Sequence, residues 1–518
     1  MFDLPPLTTN LAAILAIALV VRWAITKYPD IHPHSLYFQS SLSPVREPDE
    51  SQVYRSTLTP FTYPLLAGLN IRESNSFRDG NLQDIWDLGK NGRIGEFDKS
   101  LKQIKYFNQD EMEKSIKYLA ANFKTYVPEV SRIAIYLPNS IENITASFAC
   151  AFAAVVNILT PLSLEIDELS EHFAASKPEI LVVGAGTLDF TQLIVPSSLK
   201  AIVLVTKGAD HLDWTEQLSK AVGPCVSVFT YSDAISPRAE IELIPSSVMD
   251  ETDAFLVSYS NAKGKIETAT FSQKNICAAI GAQMRVVPRT ESWHRTDVVV
   301  PLDSLQTLYN RIMFLTAMAF GCSVVCCGTE PGAIDLSSLP EIKPNILILS
   351  ARDLLELTDQ KLGFVSSIKL KRSLGLLAGG SLPSPIFDDL PGLRLVYTHE
   401  DQPPHAEKHI KKDKILSSSK LAHIRAVLGS RVVYALTYAR VAGAVCQTHP
   451  MDYRDLGLVR VFGPVLPSVE AVVKDTDDLK GGNKQGHLFV RGPAVADEGW
   501  VPTNIVGEWG IDGCFREL

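Results

Sequence analysis

Short uninterrupted apolar runs punctuate the middle of this chain at Ile133–Leu137, Ile180–Val183, Ile202–Val205, Val298–Val300, Val324–Cys327 and Ile346–Leu349. Runs of this length without polar alternation fit strands buried on both faces of a parallel sheet. Helix-like stretches separate them, including a small-residue apolar helix over Asn143–Val156, so the pattern predicts α/β architecture with right-handed crossovers. Residues 29–100 are mixed and rich in Pro, Ser and Asn, which predicts an irregular lead-in. The pattern changes again over Val469–Gly513. There Gly and Asp alternate with short runs such as Ala471–Lys474 and His487–Val490, which predict a smaller antiparallel piece.

The N-terminus differs from everything after it. Leu11–Val21 is wholly apolar, and the stretch from Leu7 to Thr26 carries one charge, Arg22. About twenty residues span a bilayer core. Arg22 and Lys27 follow the apolar run and Trp23 suits an interface, so the expectation is an uncleaved anchor over residues 1–28 with the body in the cytosol. A cleaved signal peptide is the rival, but the start, Met1–Pro6, has no basic residue. Asn143–Thr145 is a formal glycosylation sequon that a cytosolic body leaves unused.

At 518 residues the chain exceeds what one core supports, roughly 250–300 residues, so two or more packed subdomains are expected. The net charge of −9 argues against nucleic acid as a partner, because phosphate binding needs a basic surface. None of the eight cysteines forms a Cys-x-x-Cys pair, and several lie in apolar runs, so buried free thiols are expected. His405 and His409 would share a helix face, but no third ligand accompanies them in that charged segment. A solvated face is expected there, and no metal site.

Several segments in order resemble the adenylate-forming superfamily, and within it the long-chain acyl-CoA synthetases. Pro44–Ser56 resembles that family's opening signature. Ile135–Asn139 and Thr160–Ile166 match its early strand and turn. Gly486–Pro493 and Val506–Gly513 match its late strand pair and the segment before its hinge. The resemblance implies two parallel-sheet α/β subdomains plus a smaller β-rich subdomain, here preceded by one transmembrane helix. In residue terms this is an AMP-binding-like domain over 101–518, β-rich from about 440.

The motifs that carry the family's chemistry depart from its pattern. The family's phosphate loop reads Tyr-Thr-Ser-Gly-Thr-Thr-Gly-x-Pro-Lys-Gly. Its small residues let backbone N–H groups close around the ATP phosphates, and its lysine adds charge. The match here is Ser258–Thr268. Ser260 and Gly264 keep the pattern, Asn261 replaces a glycine, Lys263 lies within the loop and Glu267 replaces the lysine. The adenine and magnesium motif, Tyr-Gly-x-Thr-Glu, matches Tyr434–Tyr438. Tyr434 and Thr437 remain, Ala435 replaces the glycine, and Tyr438 replaces the carboxylate that a hard cation needs. The ribose-binding aspartate of the third motif is Ile505. The family also continues into a hinge and a small C-terminal domain carrying a catalytic lysine. This chain stops at Leu518, so that domain is expected to be missing unless the chain is a piece.

Segments that build the core keep the family's pattern and segments that contact ligands do not. The resulting expectation is a membrane-anchored, acyl-CoA-synthetase-like pseudoenzyme with no catalytic residues and no cofactor. It would serve lipid binding or a regulatory or scaffold role in lipid metabolism. Two alternatives stay open: an active long-chain fatty acid–CoA ligase using Mg-ATP at an altered site, and a structural subunit of a membrane complex. The expected partners are the lipid bilayer, a fatty acyl ligand and a protein. The expected location is the endoplasmic reticulum membrane, with lipid droplet, peroxisomal and outer mitochondrial membranes as alternatives.

Overall fold

The apolar runs become the inner strands of two sheets, where neighbours on both faces keep each backbone paired and each side chain dry. The structure, a computed structural model, describes residues 6–25, 29–73, 76–206, 218, 222, 225–237, 250–261, 264–328, 336–358, 363–387, 389–400, 415–475 and 485–517. Lys263, His405 and His409 lie outside the described residues.

The first sheet has seven strands, in the order Ser227–Thr230, Ala201–Val205, Ile180–Gly184, Arg132–Tyr136, Val156–Leu159, Asp253–Ser260 and Ile266–Ser272. Every neighbouring pair is parallel except the last, an antiparallel hairpin. The second sheet has eight strands, in the order Ala444–Gln447, Arg431–Thr437, Leu395–Glu400, Ile346–Ser350, Val298–Pro301, Ser323–Cys326, Arg93–Asp98 and Gln103–Tyr106. It is parallel through its middle and antiparallel at both edges. A third, seven-stranded sheet is antiparallel throughout and holds Glu470–Lys474, Gln485–Arg491 and Val501–Trp509 at its centre.

The helices Leu82–Gly89, Ile141–Phe152, Gln273–Val286 and Leu308–Ala319 pack on one another between the two parallel sheets. The second and fourth are buried almost all round, as a helix between two sheets must be. Asn143 and Arg311 tie them together. The fully buried Arg311 donates from Nη2 to Asn143 Oδ1 at 2.9 Å and from Nε to the Leu305 carbonyl at 2.8 Å. Asn143 spends its own amide on the carbonyls of Leu137 and Pro138. The sequon asparagine is thus an interior cross-link.

Three expectations need correction. Residues 29–100 are not irregular. They supply Ser40–Leu42 and Tyr54–Ser56 to the third sheet, a hairpin of Ile71–Glu73 with Ser76–Arg78, the capped helix Leu82–Gly89, and Arg93–Asp98 to the second sheet. These strands are short, and Tyr54–Ser56 and Arg93–Asp98 also pair with segments hundreds of residues away, so no local alternation marks them. The helix expected to reach Val156 stops at Phe152, because Ala154 turns the chain at φ 53° and Val156 opens a strand. Seven cysteines are buried free thiols, but Cys225 is exposed. Among the described residues no helix is long and apolar enough to cross a membrane. Pro6–Ile25 does form a 20-residue helix. Its described apolar side chains from Leu11 to Val21 are all exposed.

Candidate functional site

The site begins at the hairpin that ends the first sheet. Asp253–Ser260 pairs with Ile266–Ser272 in a register that sets Ser258 against Thr268, Tyr259 against Glu267 and Ser260 against Ile266. Asn261, Gly264 and Lys265 are the described residues between the two strands. Gly264 takes φ 75°, a conformation that suits glycine, with open space where a Cβ would sit. The described backbone N–H groups of Asn261, Gly264 and Lys265 are spent inside the loop. Asn261 N–H donates to the Lys265 carbonyl at 2.9 Å, Gly264 N–H to the Asn261 carbonyl at 2.9 Å, and Lys265 N–H to Asn261 Oδ1 at 3.1 Å. A loop that cradles phosphate must leave such donors pointing outward.

Glu267 is held by its neighbours. Asn261 Nδ2 donates to Oε1 at 2.7 Å and the Tyr259 hydroxyl donates to Oε2 at 3.1 Å. These contacts, Asn261 first, hold the carboxyl below the usual carboxylate range, with weaker help from Arg440 and Lys265. Glu267 is therefore ionised at neutral pH. Burial pushes Tyr259 up to about 12, so its hydroxyl keeps the proton it donates. Arg440 lies across the cleft, paired with Asp497 at 2.5 Å. Together Tyr259, Lys265, Glu267, Thr268, Arg440 and Asp497 line a cleft of about 440 Å³.

Tyr438 joins this group. Its hydroxyl donates to the Pro502 carbonyl at 3.1 Å, its ring packs on the core, and burial raises its pKa. Both Glu267 and Tyr438 feel Arg440. The structure therefore gathers Asn261, Glu267 and Tyr438, which the sequence assigned to two separate motifs.

The other assigned residues turn away. Tyr434 is fully buried, its hydroxyl engaged with the Glu400 carboxylate, which also takes Arg460, and its ring 4.7 Å from Phe462. Ala435 is fully buried between His399 and Gln447 in the second sheet. Thr437 donates to the Glu400 carbonyl at 2.9 Å. Ser260 is half-buried at the strand end. Ile505 is 1% exposed, on the inward face of Val501–Trp509, where its N–H donates to Thr503 Oγ1 at 3.2 Å.

Sequence reasoning missed Tyr259, Arg440 and Asp497. A signal existed for the first: an aromatic stands where the family's loop has threonine, two residues along the strand from Asn261 and opposite Glu267. Arg440 and Asp497 meet only through the fold.

Mg-ATP does not fit the groups present. At the positions matched to the family's motifs, Glu267 is an ionised carboxylate, the described N–H groups of Asn261, Gly264 and Lys265 are bonded inside the loop, and Ile505 is buried. Among the described residues no cluster of three His, Cys, Asp or Glu side chains could hold a metal ion. A larger cleft of about 860 Å³ lies elsewhere, lined in part by Ile31, Phe38, Leu58, Met284, Phe320 and Leu466.

The AMP-binding enzyme family model matches residues 105–498. The uncharacterized protein YHR045W of Saccharomyces cerevisiae is 24% identical over 576 residues, 97% of each chain. Among solved structures, ATP-bound MatB from Rhodopseudomonas palustris aligns with TM-score 0.59 at 15% identity, over 85% of this chain and 78% of that one. A protein described as a "putative long-chain-fatty-acid CoA ligase", from the same organism, gives 0.59 at 16%, over 85% and 98%. The luciferase-like enzyme of the mealworm Zophobas morio gives 0.60 at 15%, over 88% and 98%. At these identities the structural likeness speaks for the fold.

Proposed function

We propose that this chain, which belongs to the AMP-binding enzyme family, keeps the family's scaffold but performs no adenylation, and holds an acyl lipid at the cytosolic face of the endoplasmic reticulum membrane. One observation carries the first half. The Glu267 carboxylate is ionised and satisfied by Asn261 and Tyr259, at the place where the family's lysine would meet phosphate. A polyphosphate brought to this loop meets a like charge and finds the backbone donors of Asn261, Gly264 and Lys265 already bonded.

The lipid half rests on the larger cleft. Its volume of about 860 Å³ lies within the ordinary range of small-molecule sites, roughly 300–1,000 Å³. Its wall combines Phe38, Leu58, Met284 and Phe320 with Arg285 and Arg289, which suits a chain with an acidic head. The anchoring half rests on the sequence, in which Leu11–Val21 is wholly apolar, and these residues lie on the helix Pro6–Ile25.

The test is native mass spectrometry of the gently extracted full chain. The expected result is co-released acyl lipid that disappears when Leu58→Trp and Met284→Trp fill the cleft. Protein that never carries lipid, or carries it equally after the cleft is filled, would contradict lipid binding there.

A further inference from the structure

The helix Phe364–Ala378 presents two opposed faces. Its inner stripe, Leu370, Ser373, Leu374 and Leu377, faces the body, where the leucines pack with Ile31, Ala426, Met451 and Tyr453. Its outer face turns apolar groups into solvent. Phe364, Val365 and Ile368 are 83%, 66% and 56% exposed. Lys369, Lys371 and Arg372 follow within a turn and are also exposed. At 100° per residue, Phe364, Ile368, Lys371, Arg372 and Gly375 fall on one side, and a Cβ at Gly375 would meet nothing within 4 Å. The helix contains no acidic residue, in a chain of net charge −9. An apolar end followed by a basic turn, outward on a helix held by its other face, is the composition of an interfacial helix.

A second observation fixes which surface it meets. The first described residues after the N-terminal helix are clamped just past this helix's C-terminus. Asp30 N–H donates to the Gly380 carbonyl at 2.9 Å, and the Asp30 carboxylate accepts from the Tyr453 hydroxyl at 2.7 Å and from Arg431 at 3.2 Å. A Cβ at Gly380 would lie 2.8 Å from Pro29 Cβ. Residues 26–28 alone separate Pro29 from Ile25, the end of the apolar helix. At about 3.6 Å per residue they span at most roughly 15 Å.

We propose that the outer face of Phe364–Ala378 lies on the bilayer, with Phe364, Val365 and Ile368 at the headgroup–acyl boundary and Lys369, Lys371 and Arg372 on anionic headgroups. The proposal rests on the anchoring half of the reading above and deepens it. The anchor brings the helix to the surface, and the helix then fixes how the body sits there. Ile31 both packs with this helix and lines the 860 Å³ cleft, so the docked orientation places that cleft beside the membrane.

The experiment uses the full chain in a Cys225→Ser background, with Phe364→Cys carrying an environment-sensitive fluorophore and Ile194→Cys, 73% exposed at Ile194, as control. The protein is reconstituted with phosphatidylcholine vesicles, with or without one third phosphatidylserine, and floated. The expected result in anionic vesicles is blue-shifted emission at position 364 and several-fold weaker iodide quenching, while position 194 stays fully quenchable. Reversing the charges with Lys369→Glu, Lys371→Glu and Arg372→Glu returns position 364 to water without releasing the protein from the vesicles. Protein that floats while position 364 is as quenchable as 194 overturns this proposal alone. Protein that does not float contradicts the anchor and this proposal with it.

Discussion

The Tyr259 hydroxyl donates to the Glu267 carboxylate across a strand pair, at 3.1 Å. With the Asn261 amide, it satisfies the Glu267 carboxylate within the hairpin. It also separates the two kinds of change in this protein. Glu267 sits at the surface and is balanced locally, whereas Ile505 has become part of the core. Restoring the family's residues therefore has unequal consequences. Glu267→Lys is predicted to shift the denaturation midpoint little. Ile505→Asp buries a carboxylate without a partner and is predicted to cost about 3 kcal/mol or more. Urea unfolding of the two variants checks this, and an equally tolerant Ile505→Asp would mean that strand is not packed as described.

The cross-link between Asn143 and Arg311 holds two helices together in the dry layer between the parallel sheets. Asn143→Ala removes an acceptor from a buried guanidinium and leaves the Leu137 and Pro138 carbonyls without their donor. The predicted loss is about 3 kcal/mol in chemical denaturation. A loss under about 1 kcal/mol would show that the layer is wetter than its packing implies.

His172 gives a pH dependence with a defined sign. Burial lowers its pKa from 6.5 to about 4, so it is neutral in the folded protein at neutral pH. The unfolded chain takes up the proton first as pH falls, and stability is lost between pH 6.5 and pH 4. Between pH 7 and pH 5, wild type should lose about 2 kcal/mol more than His172→Gln. Parallel slopes for the two proteins would refute a buried neutral histidine.

Much of this architecture is legible in the chain. Each apolar run is a buried parallel strand, because burial on both faces demands that composition, and the Gly-rich end is antiparallel as its spacing suggests. What the chain hides is pairing at long range. Tyr54 pairs with Ala471, and Arg93–Asp98 enters the second sheet beside Ser323–Cys326. Nothing local to either segment encodes its partner. The site divides the same way. The match of Glu267 to the family's phosphate-loop lysine is readable residue by residue, but the hydrogen bonds that Asn261 and Tyr259 donate to it and the Arg440–Asp497 pair across the cleft depend on the fold. Ile505 as a core residue shows in the alternating burial of its strand, which needs the strand's register to be known.

Anchoring by residues 7–26 makes a fractionation prediction. Alkaline carbonate, which strips peripheral contacts, should leave the full chain in the membrane pellet and release a chain lacking residues 1–28. Protease added to intact microsomes should degrade the body. A carbonate-resistant deletion would place an anchor elsewhere, and full protease protection would reverse the topology.

The central claim is that the AMP-binding scaffold here performs no adenylation, and palmitate-dependent pyrophosphate exchange with Mg-ATP tests it most directly. The measurement is made on purified full chain and on Glu267→Lys. The account predicts no exchange by either protein, because the N–H groups of Asn261, Gly264 and Lys265 remain internally bonded and Ile505 stays buried at the position matched to the family's ribose aspartate. Fatty-acid-dependent exchange by the wild-type protein well above a no-enzyme control would contradict the account and make the chain an active ligase.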